Sequence, residues 1–342
     1  MNFQDKKVLV IGTGKSGIGA AGLLAKVGAN PILFDSNEKI NLAELQEKTA
    51  QIKPLEIVIG QFPEEKKKEI SLLVISPGVP IDSEMVLDFK QRNIPVWGEI
   101  ELADFFAKGR VVAITGTNGK TTTTTLVGDI MRAYYDSVFV VGNIGNPYTD
   151  IALETKEDSV VVAEISSFQL ETVYDFAPKV SAILNITPDH LNRHHTMECY
   201  VKTKEEIAKN QTKEDTCVLN YEDAYTREFG KRCPAKVVYF SSKQKLSDGL
   251  YLSGEDIVLA EDGKEQALMN IHEMNLVGMC NVENVMAAIA ISRAMKVPME
   301  IILQTVKQFK AVEHRIEYVA TKNGVDYYND SKGTNPDAAI QG

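Results

Sequence analysis

Distributed positive charge is missing from this chain, no stretch of it is both long and apolar, and its cysteines come without partners. The 342 residues carry a formal net charge of -10 and hold no Lys/Arg-rich stripe. That excludes a broad nucleic-acid surface, since a phosphate backbone is bound by positive charge spread along it. Lys66-Lys67-Lys68 reads instead as one solvated helix face. No apolar run approaches the roughly 20 residues of a membrane span, and the N-terminus passes through Asp5, Lys6 and Lys7 into a short strand, so export, anchoring and a membrane partner are not expected. Cys199, Cys217, Cys233 and Cys280 show neither C-x-x-C spacing nor a nearby histidine pair, and read as reduced thiols of a cytoplasmic protein. The Asn-Lys dipeptide of a guanine-reading N-K-x-D segment occurs nowhere, which removes the P-loop switch as a reading.

Hydrophobic residues make up 44% of the chain, enough to fill two or three domains. Apolar runs at residues 8–11, 31–34, 56–59 and 72–75, separated by helix-length segments such as 16–27, have the rhythm of a parallel α/β domain. A second series at 111–114, 138–141, 160–165 and 180–186 predicts a new sheet. Strands at 216–220, 236–240, 249–252 and 256–260 lie closer together and read as β structure added to that domain. A helix is expected from about 281 to 295, with a broad buried face, and another from Pro298 to near Phe309. Residues 316–321 and 325–328 flank Asn323-Gly324, a tight hairpin turn that opens a third unit. The chain stops about thirty residues into that unit, too short for an independent core, so a truncated C-terminal domain is expected. The domain boundaries predicted are 1–98, 99–312 and 313–342.

Thr115-Gly116-Thr117-Asn118-Gly119-Lys120-Thr121 follows one of these apolar runs and opens a helix. Glycines let backbone N–H groups turn toward an anion, the helix N-terminus adds positive potential, Lys120 supplies a point charge and the Thr121 hydroxyl can hold Mg2+. The strict P-loop spaces its glycines by four residues. Here only Thr117 and Asn118 intervene, so the loop is a shortened variant. Gly12-Thr13-Gly14-Lys15-Ser16-Gly17, with Asp35 at the end of the next run, matches the dinucleotide fingerprint. NAD, a different nucleotide and a plain glycine turn are all compatible with it. Ser76-Pro77-Gly78 lies on the same ligand-binding edge of the sheet.

Glu164 closes a β run and begins Glu164-Ile165-Ser166-Ser167-Phe168-Gln169-Leu170-Glu171; a carboxylate there, near a phosphate loop, is placed to hold Mg2+. His190, in Asn185-Ile186-Thr187-Pro188-Asp189-His190-Leu191, also follows a strand and can coordinate or hydrogen-bond near a metal. His194 and His195 read as surface residues. By spacing alone Lys204 is a plain surface lysine on a solvated helix. Arg315, beside His314, and Asp330-Ser331-Lys332-Gly333-Thr334-Asn335 bracket the hairpin and bring a guanidinium, an ammonium and a carboxylate to a junction where a polyphosphate can be clamped.

Taken together, T-G-T-N-G-K-T, E-x-S-S-F-Q-L-E and N-D-S-K-x-T-N resemble the Mur ligases, ATP-dependent amino-acid-adding enzymes of peptidoglycan synthesis. The last two motifs are similar to those of members that add D-glutamate to UDP-N-acetylmuramoyl-L-alanine. The resemblance covers the whole chain and implies an α/β protein: a Rossmann-like N-terminal domain, a central P-loop-type ATPase domain with added strands, and the start of an amino-acid-binding domain. It implies that the first glycine turn takes the uridine diphosphate end of the substrate, with Lys15, Ser16, Asp35, Ser76, Pro77 and Gly78 at matching positions and Asn143 touching the sugar nucleotide. Gly116, Thr117, Asn118, Gly119, Lys120, Thr121 and Thr122 hold the ATP phosphates. Two Mg2+ ions are implied, one served by Thr121 and Glu164 and a second by His190. Lys204 matches a lysine carbamylated in the family, which makes it an anionic metal ligand. Asn281 and Asn284 match the adenine side, Arg315 the nucleotide clamp and Asp330 a ribose contact, while Lys332 and Thr334 match the junction that receives phosphate and D-glutamate. The family expectation is a monomer.

Overall fold

Short Val/Ile/Leu runs alternating with helix-length segments can bury both faces as parallel strands covered by helices. The computed structural model, which describes residues 2–341, is built that way. The chain divides into two compact units, one of Met1–Gly109, Val141–Glu157 and Ser166–Phe176, the other of Arg110–Val140, Asp158–Ile165 and Ala177–Gly342.

The first unit holds five strands, β1 (Lys7–Ile11), β2 (Asn30–Asp35), β3 (Glu56–Ile59), β4 (Ile70–Ile75) and β5 (Val96–Gly98), all parallel in the order β3-β2-β1-β4-β5. The order reverses between β1 and β4, the position where open α/β sheets bind ligands. Leu9, Phe34, Leu73, Val86 and Phe89 are among the residues of its core. The sequence rhythm gave four of the strands. Three-residue β5 is too short to show a period. Nor is the lysine run simply solvated: the Lys67 side chain is 12% exposed, pairing with Glu64 and with Asp88 at 2.9 Å.

The second unit holds β6 (Arg110–Thr115), β7 (Val138–Gly142), β8 (Val160–Glu164), β9 (Val180–Ile183), β10 (Thr216–Asn220), β11 (Lys236–Ser241), β12 (Gly249–Ser253), β13 (Asp256–Glu261) and β14 (Lys264–Asn270). Their order is β14-β13-β12-β11-β10-β9-β6-β8-β7. β6, β8, β9, β10, β11 and β12 pair in parallel, and β13 and β14 extend the sheet as antiparallel hairpins, with β14 one strand beyond the added β structure expected. Exposed Lys264, Glu265 and Gln266 break the apolar pattern there.

The helix Met279–Ala294 buries Val282, Val285, Met286, Ile289 and Ile291 in one cluster with Leu126 and Ile130 of the helix Lys120–Arg132. It is apolar around most of its circumference, as a helix must be when it is enclosed by the core. β15 (Glu317–Lys322) and β16 (Val325–Asn329) form a hairpin whose Asn323 and Gly324 both have positive φ, 54° and 76°, as a type I′ turn requires. Tyr318, Val319, Val325 and Tyr327 of this hairpin are exposed. Among the described residues no helix is long and apolar enough to cross a membrane. Ile289→Ala is expected to lower unfolding free energy by about 2–5 kcal/mol, the range for truncating an enclosed aliphatic side chain, measured by urea denaturation.

Candidate active site

The centre of the second sheet positions the phosphate loop. β6 lies between β8 and β9, with Ile114 in register with Glu164 and Thr115 with Ile183, so three strand ends deliver their following segments to one edge. Gly119 adopts φ +82°, and a Cβ there would stand 2.2 Å from Asn284 Oδ1; a glycine is demanded by both conformation and space. The loop is also tied to the segment after β9. Thr117 N–H donates to the Asn185 carbonyl at 2.9 Å. Asn118 N–H donates to Asn185 Oδ1 at 2.8 Å, and Asn185 Nδ2 returns a bond to the Asn118 carbonyl at 3.1 Å. Thr117 Oγ1 donates to the Thr187 carbonyl at 3.1 Å, accepts from Thr187 N–H at 3.0 Å and lies 3.1 Å from the Tyr200 hydroxyl.

Two lysines converge on one oxygen of this loop. Lys120 Nζ donates to the Gly116 and Thr117 carbonyls at 2.9 and 2.8 Å, and Lys204 Nζ donates to the same Gly116 carbonyl at 2.9 Å. Lys204 also reaches Thr115 Oγ1 at 3.4 Å and lies 4.7 Å from the centre of the Tyr200 ring. At 1% exposure it is not the surface lysine its spacing suggests. Its helix is partly solvated, and only this face turns inward. Burial drives the Lys204 ammonium far below its ordinary value of 10.5, and the Lys120 charge adds to the fall. Lys120 is lowered by burial too, with Glu164 opposing, Arg315 adding to the fall and Asp189 opposing.

Glu164 is 1% exposed at the end of β8, so it is no surface carboxylate. His190, with φ 53°, is exposed; its N–H donates to Asp189 Oδ1 at 2.9 Å and its Nε2 lies 3.7 Å from Asp189 Oδ2. His194 corrects the surface reading: it is 1% exposed, stacks at 5.1 Å on Tyr200, and burial lowers its pKa to about 4. His195 is exposed as expected. Tyr200 is pushed up to about 12 by burial. Among the described residues no three His, Cys, Asp or Glu side chains gather around a metal position.

A cavity of about 240 Å3 adjoins the loop and is lined by Asn118, Gly119, Thr122, Asn281, Asn284, Arg315, Asp330 and Lys332 among others. Asn284 Nδ2 donates to Asn281 Oδ1 at 3.1 Å, and Asn284 Oδ1 accepts from Thr123 Oγ1 at 3.3 Å, which fixes the amide beside Gly119. Asp330 Oδ1 accepts from Ile316 N–H at 3.2 Å, and Lys332 N–H donates to the His314 carbonyl at 3.1 Å. Thr121 is buried at the start of the loop's helix, while Thr334 is exposed and lies outside the cavity lining.

In the first unit, Lys15, Ser16, Asp35, Ser76, Pro77 and Gly78 all line a cavity of about 1550 Å3 at the β1/β4 switch point. Asp35 Oδ2 accepts from Thr13 N–H at 3.2 Å and Thr13 Oγ1 at 3.0 Å, so this carboxylate fastens the glycine turn. Asn143 is exposed in the turn after β7 and does not line this cavity. Asn185, Thr187 and Tyr200 carry much of the loop's support and Asp189 acts by charge on both lysines, and none of the four received a role from sequence. Their signal was position, just past the strand beside β6 or on the helix that follows.

An enclosed ammonium and a half-buried one, both bonded to carbonyls at a glycine turn with a helix behind it, have the charge and geometry that suit a polyphosphate. The Mur ligase middle domain model matches residues 114–292, and the Mur ligase MurD-like N-terminal domain model matches residues 6–98. The chain belongs to the Mur ligase family. It is 62% identical to the UDP-N-acetylmuramoylalanine--D-glutamate ligase of Lachnospira eligens over 100% of its own length and 76% of that relative. It is 46% identical to the enzyme of the same name from Clostridioides difficile, over 100% and 75%. Solved Mur ligases share the fold. UDP-N-acetylmuramate-alanine ligase MurC of Thermotoga maritima superposes with a TM-score of 0.56 at 22% identity, covering 98% of this chain and 76% of that one. MurF ligase of the same organism, in complex with ADP, gives 0.58 at 18% identity, covering 91% and 70%.

The Lys204 environment predicts a pH effect on stability. Because its folded value is depressed, the unfolded chain binds the proton more readily between that value and 10.5, and stability therefore rises with pH across that window. With carbon dioxide excluded, Lys204→Met is expected to remove that rise, measured by urea denaturation at stepped pH. An unchanged slope would show Lys204 not to be its source.

Proposed function

We propose that this Mur ligase joins D-glutamate to UDP-N-acetylmuramoyl-L-alanine at the expense of ATP, a step of peptidoglycan synthesis, and works as a cytoplasmic monomer. The observation that carries the reading is the pair of lysines, one enclosed and one half-buried, on the Gly116 carbonyl of a shortened phosphate loop. The first unit's cavity takes the uridine diphosphate end of the nucleotide substrate through Lys15, Ser16, Asp35, Ser76, Pro77 and Gly78, with Asn143 contributing to the sugar nucleotide. The loop residues 116–122 take the triphosphate, Asn281 and Asn284 the adenine side, Arg315 the phosphates and Asp330 the ribose.

The L-alanyl carboxylate attacks the γ-phosphorus. The bond from that phosphorus to the β-bridging oxygen breaks, leaving ADP and an acyl phosphate. The neutral amine of D-glutamate then attacks the acyl carbon, the bond to the phosphate oxygen breaks, and inorganic phosphate leaves as the nitrogen gives up a proton. Both anions of the first step must approach each other, so cation placement decides the rate. Lys120, released from its loop carbonyls, donates to the γ-phosphate oxygens, and Lys332 with Thr334 receives the transferred phosphate and D-glutamate.

Thr121 and Glu164 would hold one Mg2+, with His190 and a carbamylated Lys204 holding a second; the ions supply positive charge against the phosphates. The depressed Lys204 amine suits carbamylation, because only the neutral amine attacks the carbon of CO2, forming an N–C bond and losing a proton. Among the described residues no cluster of His, Cys, Asp or Glu side chains is ready for a metal, so a carbamate and the phosphate oxygens themselves would be the ligands that complete such a site.

Lys120→Ala is expected to cost at least about 3 kcal/mol of transition-state stabilisation, roughly a hundredfold or more in phosphate release. Near-normal release would remove Lys120 from the chemistry. With UDP-N-acetylmuramoyl-L-alanine and ATP supplied, D-glutamate is expected to stimulate phosphate release far more than L-glutamate, L-alanine or L-lysine, and equal stimulation by L-lysine would overturn the acceptor assignment.

A further inference from the structure

Asn118 separates the two glycines of the loop more closely than a strict P-loop allows, and both its backbone and its side chain are held. Its backbone N–H and carbonyl are clamped by the Asn185 amide. Its side chain turns to a segment more than two hundred residues downstream. Asn118 Oδ1 accepts from Asn335 Nδ2 at 3.0 Å, and Asn118 Nδ2 donates to Asp337 Oδ2 at 2.9 Å, with Asn335 Oδ1 at 3.5 Å. Asp337 Oδ2 also accepts from Thr187 Oγ1 at 3.3 Å, and Thr187 N–H in turn donates to loop residue Thr117. Asn335 is itself steadied by Ala338 N–H, which donates to its Oδ1 at 2.8 Å. All three of Asn118, Asn335 and Asp337 are half-buried, so these bonds are shielded from full competition with water.

We infer that Asp337, together with Asn335, is a positioning residue for the phosphate loop, acting through the Asn118 side chain. A hydrogen bond to a carboxylate is about twice as strong as a neutral one, and here a single carboxylate oxygen gathers a donor from the loop and a donor from the segment that supports it. The Thr117 and Asn118 N–H groups are taken up by Asn185, so an anion is left with those of the helix start at Lys120, and the hold on Asn118 fixes the turn that leads into it. Lys332 and Thr334 lie on the same short segment as Asn335 and Asp337. The latch therefore ties the residues that receive phosphate and amino acid to the loop that grips ATP, and makes one geometry a condition of the other. What the geometry needs from position 337 is an acceptor oxygen; the negative charge strengthens the bond.

The inference rests on the ATP reading above, and its test separates the two. ADP is titrated calorimetrically into the intact chain and into D337A, D337N, N118A and the N118A/D337A double variant. D337A is expected to bind ADP about tenfold more weakly, the scale of one lost charge-assisted hydrogen bond. D337N, which still presents a carbonyl oxygen to both donors, is expected to recover affinity to within about threefold of the parent on the same scale. The double variant should be no weaker than the weaker single one, because both act through one contact. Unchanged binding by D337A, a D337N as weak as D337A, or additive effects in the double variant would each overturn the inference. Failure of the parent chain to bind ADP would instead remove the ATP reading on which it stands. Should D337A not fold, N335A carries the same comparison, with weakened binding expected and unchanged binding overturning the proposal.

Discussion

The site is organised around positive charge whose hydrogen bonds go to uncharged oxygen, with carboxylates acting on it only from beyond hydrogen-bonding reach. Lys120 and Lys204 approach one carbonyl, that of Gly116, and neither has a carboxylate hydrogen-bonded to it. Lys204 is enclosed and Lys120 half-buried, so lost hydration depresses both, and the Lys120 charge lowers Lys204 further. An arrangement of this kind is poorly satisfied until an anion arrives. An anion at the loop would supply the counter-charge that these ammonium groups lack within hydrogen-bonding reach, which is the physical basis of the proposed grip on phosphate.

Everything else at the site holds this charge in place. A parallel sheet brings β8, β6 and β9 to a common edge, and the residue that ends or follows each strand becomes a wall: Glu164 from β8, the loop from β6, and Asn185 to His190 from β9. The Tyr200 ring beneath Lys204 supplies a polarisable face in place of water. The helix Met279–Ala294 closes the loop from behind, and its polar Asn281 and Asn284 find partners there in each other, in the Val277 carbonyl and in Thr123.

The loop, the acidic strand end and the hairpin turn were legible in the sequence because each depends on local rules. Glycines with positive φ, a strand rhythm and an Asn-Gly turn are written in neighbouring residues. That the strands of the first unit run parallel followed from the same rhythm, while their order did not. What escaped was set by contacts between distant residues. Lys204 and His194 sit on helices whose pattern reads as solvated, and only the packing of Tyr200 and Thr117 shows that one face is enclosed. Asn335 closes a motif that the sequence showed and Asp337 lies in the first turn of the helix after it, but neither reveals a partner until the fold sets both against Asn118. The short β5 and the polar-faced β14 were invisible for a simpler reason, since neither carries enough apolar alternation to register.

The crowding of Gly119 against Asn284 has a consequence for how this enzyme can change. Asn284 belongs to a helix enclosed by the core, and that core includes Leu126 and Ile130 of the helix the loop begins. A side chain at position 119 would have to displace a wall that the folded interior needs. The shape of the loop and the integrity of the fold thus share one partition, and drift that loosens the first draws on the second. Under the proposed function, adaptation of nucleotide use is channelled instead to Arg315, Asp330 and Lys332, which border the same cavity from residues outside that partition.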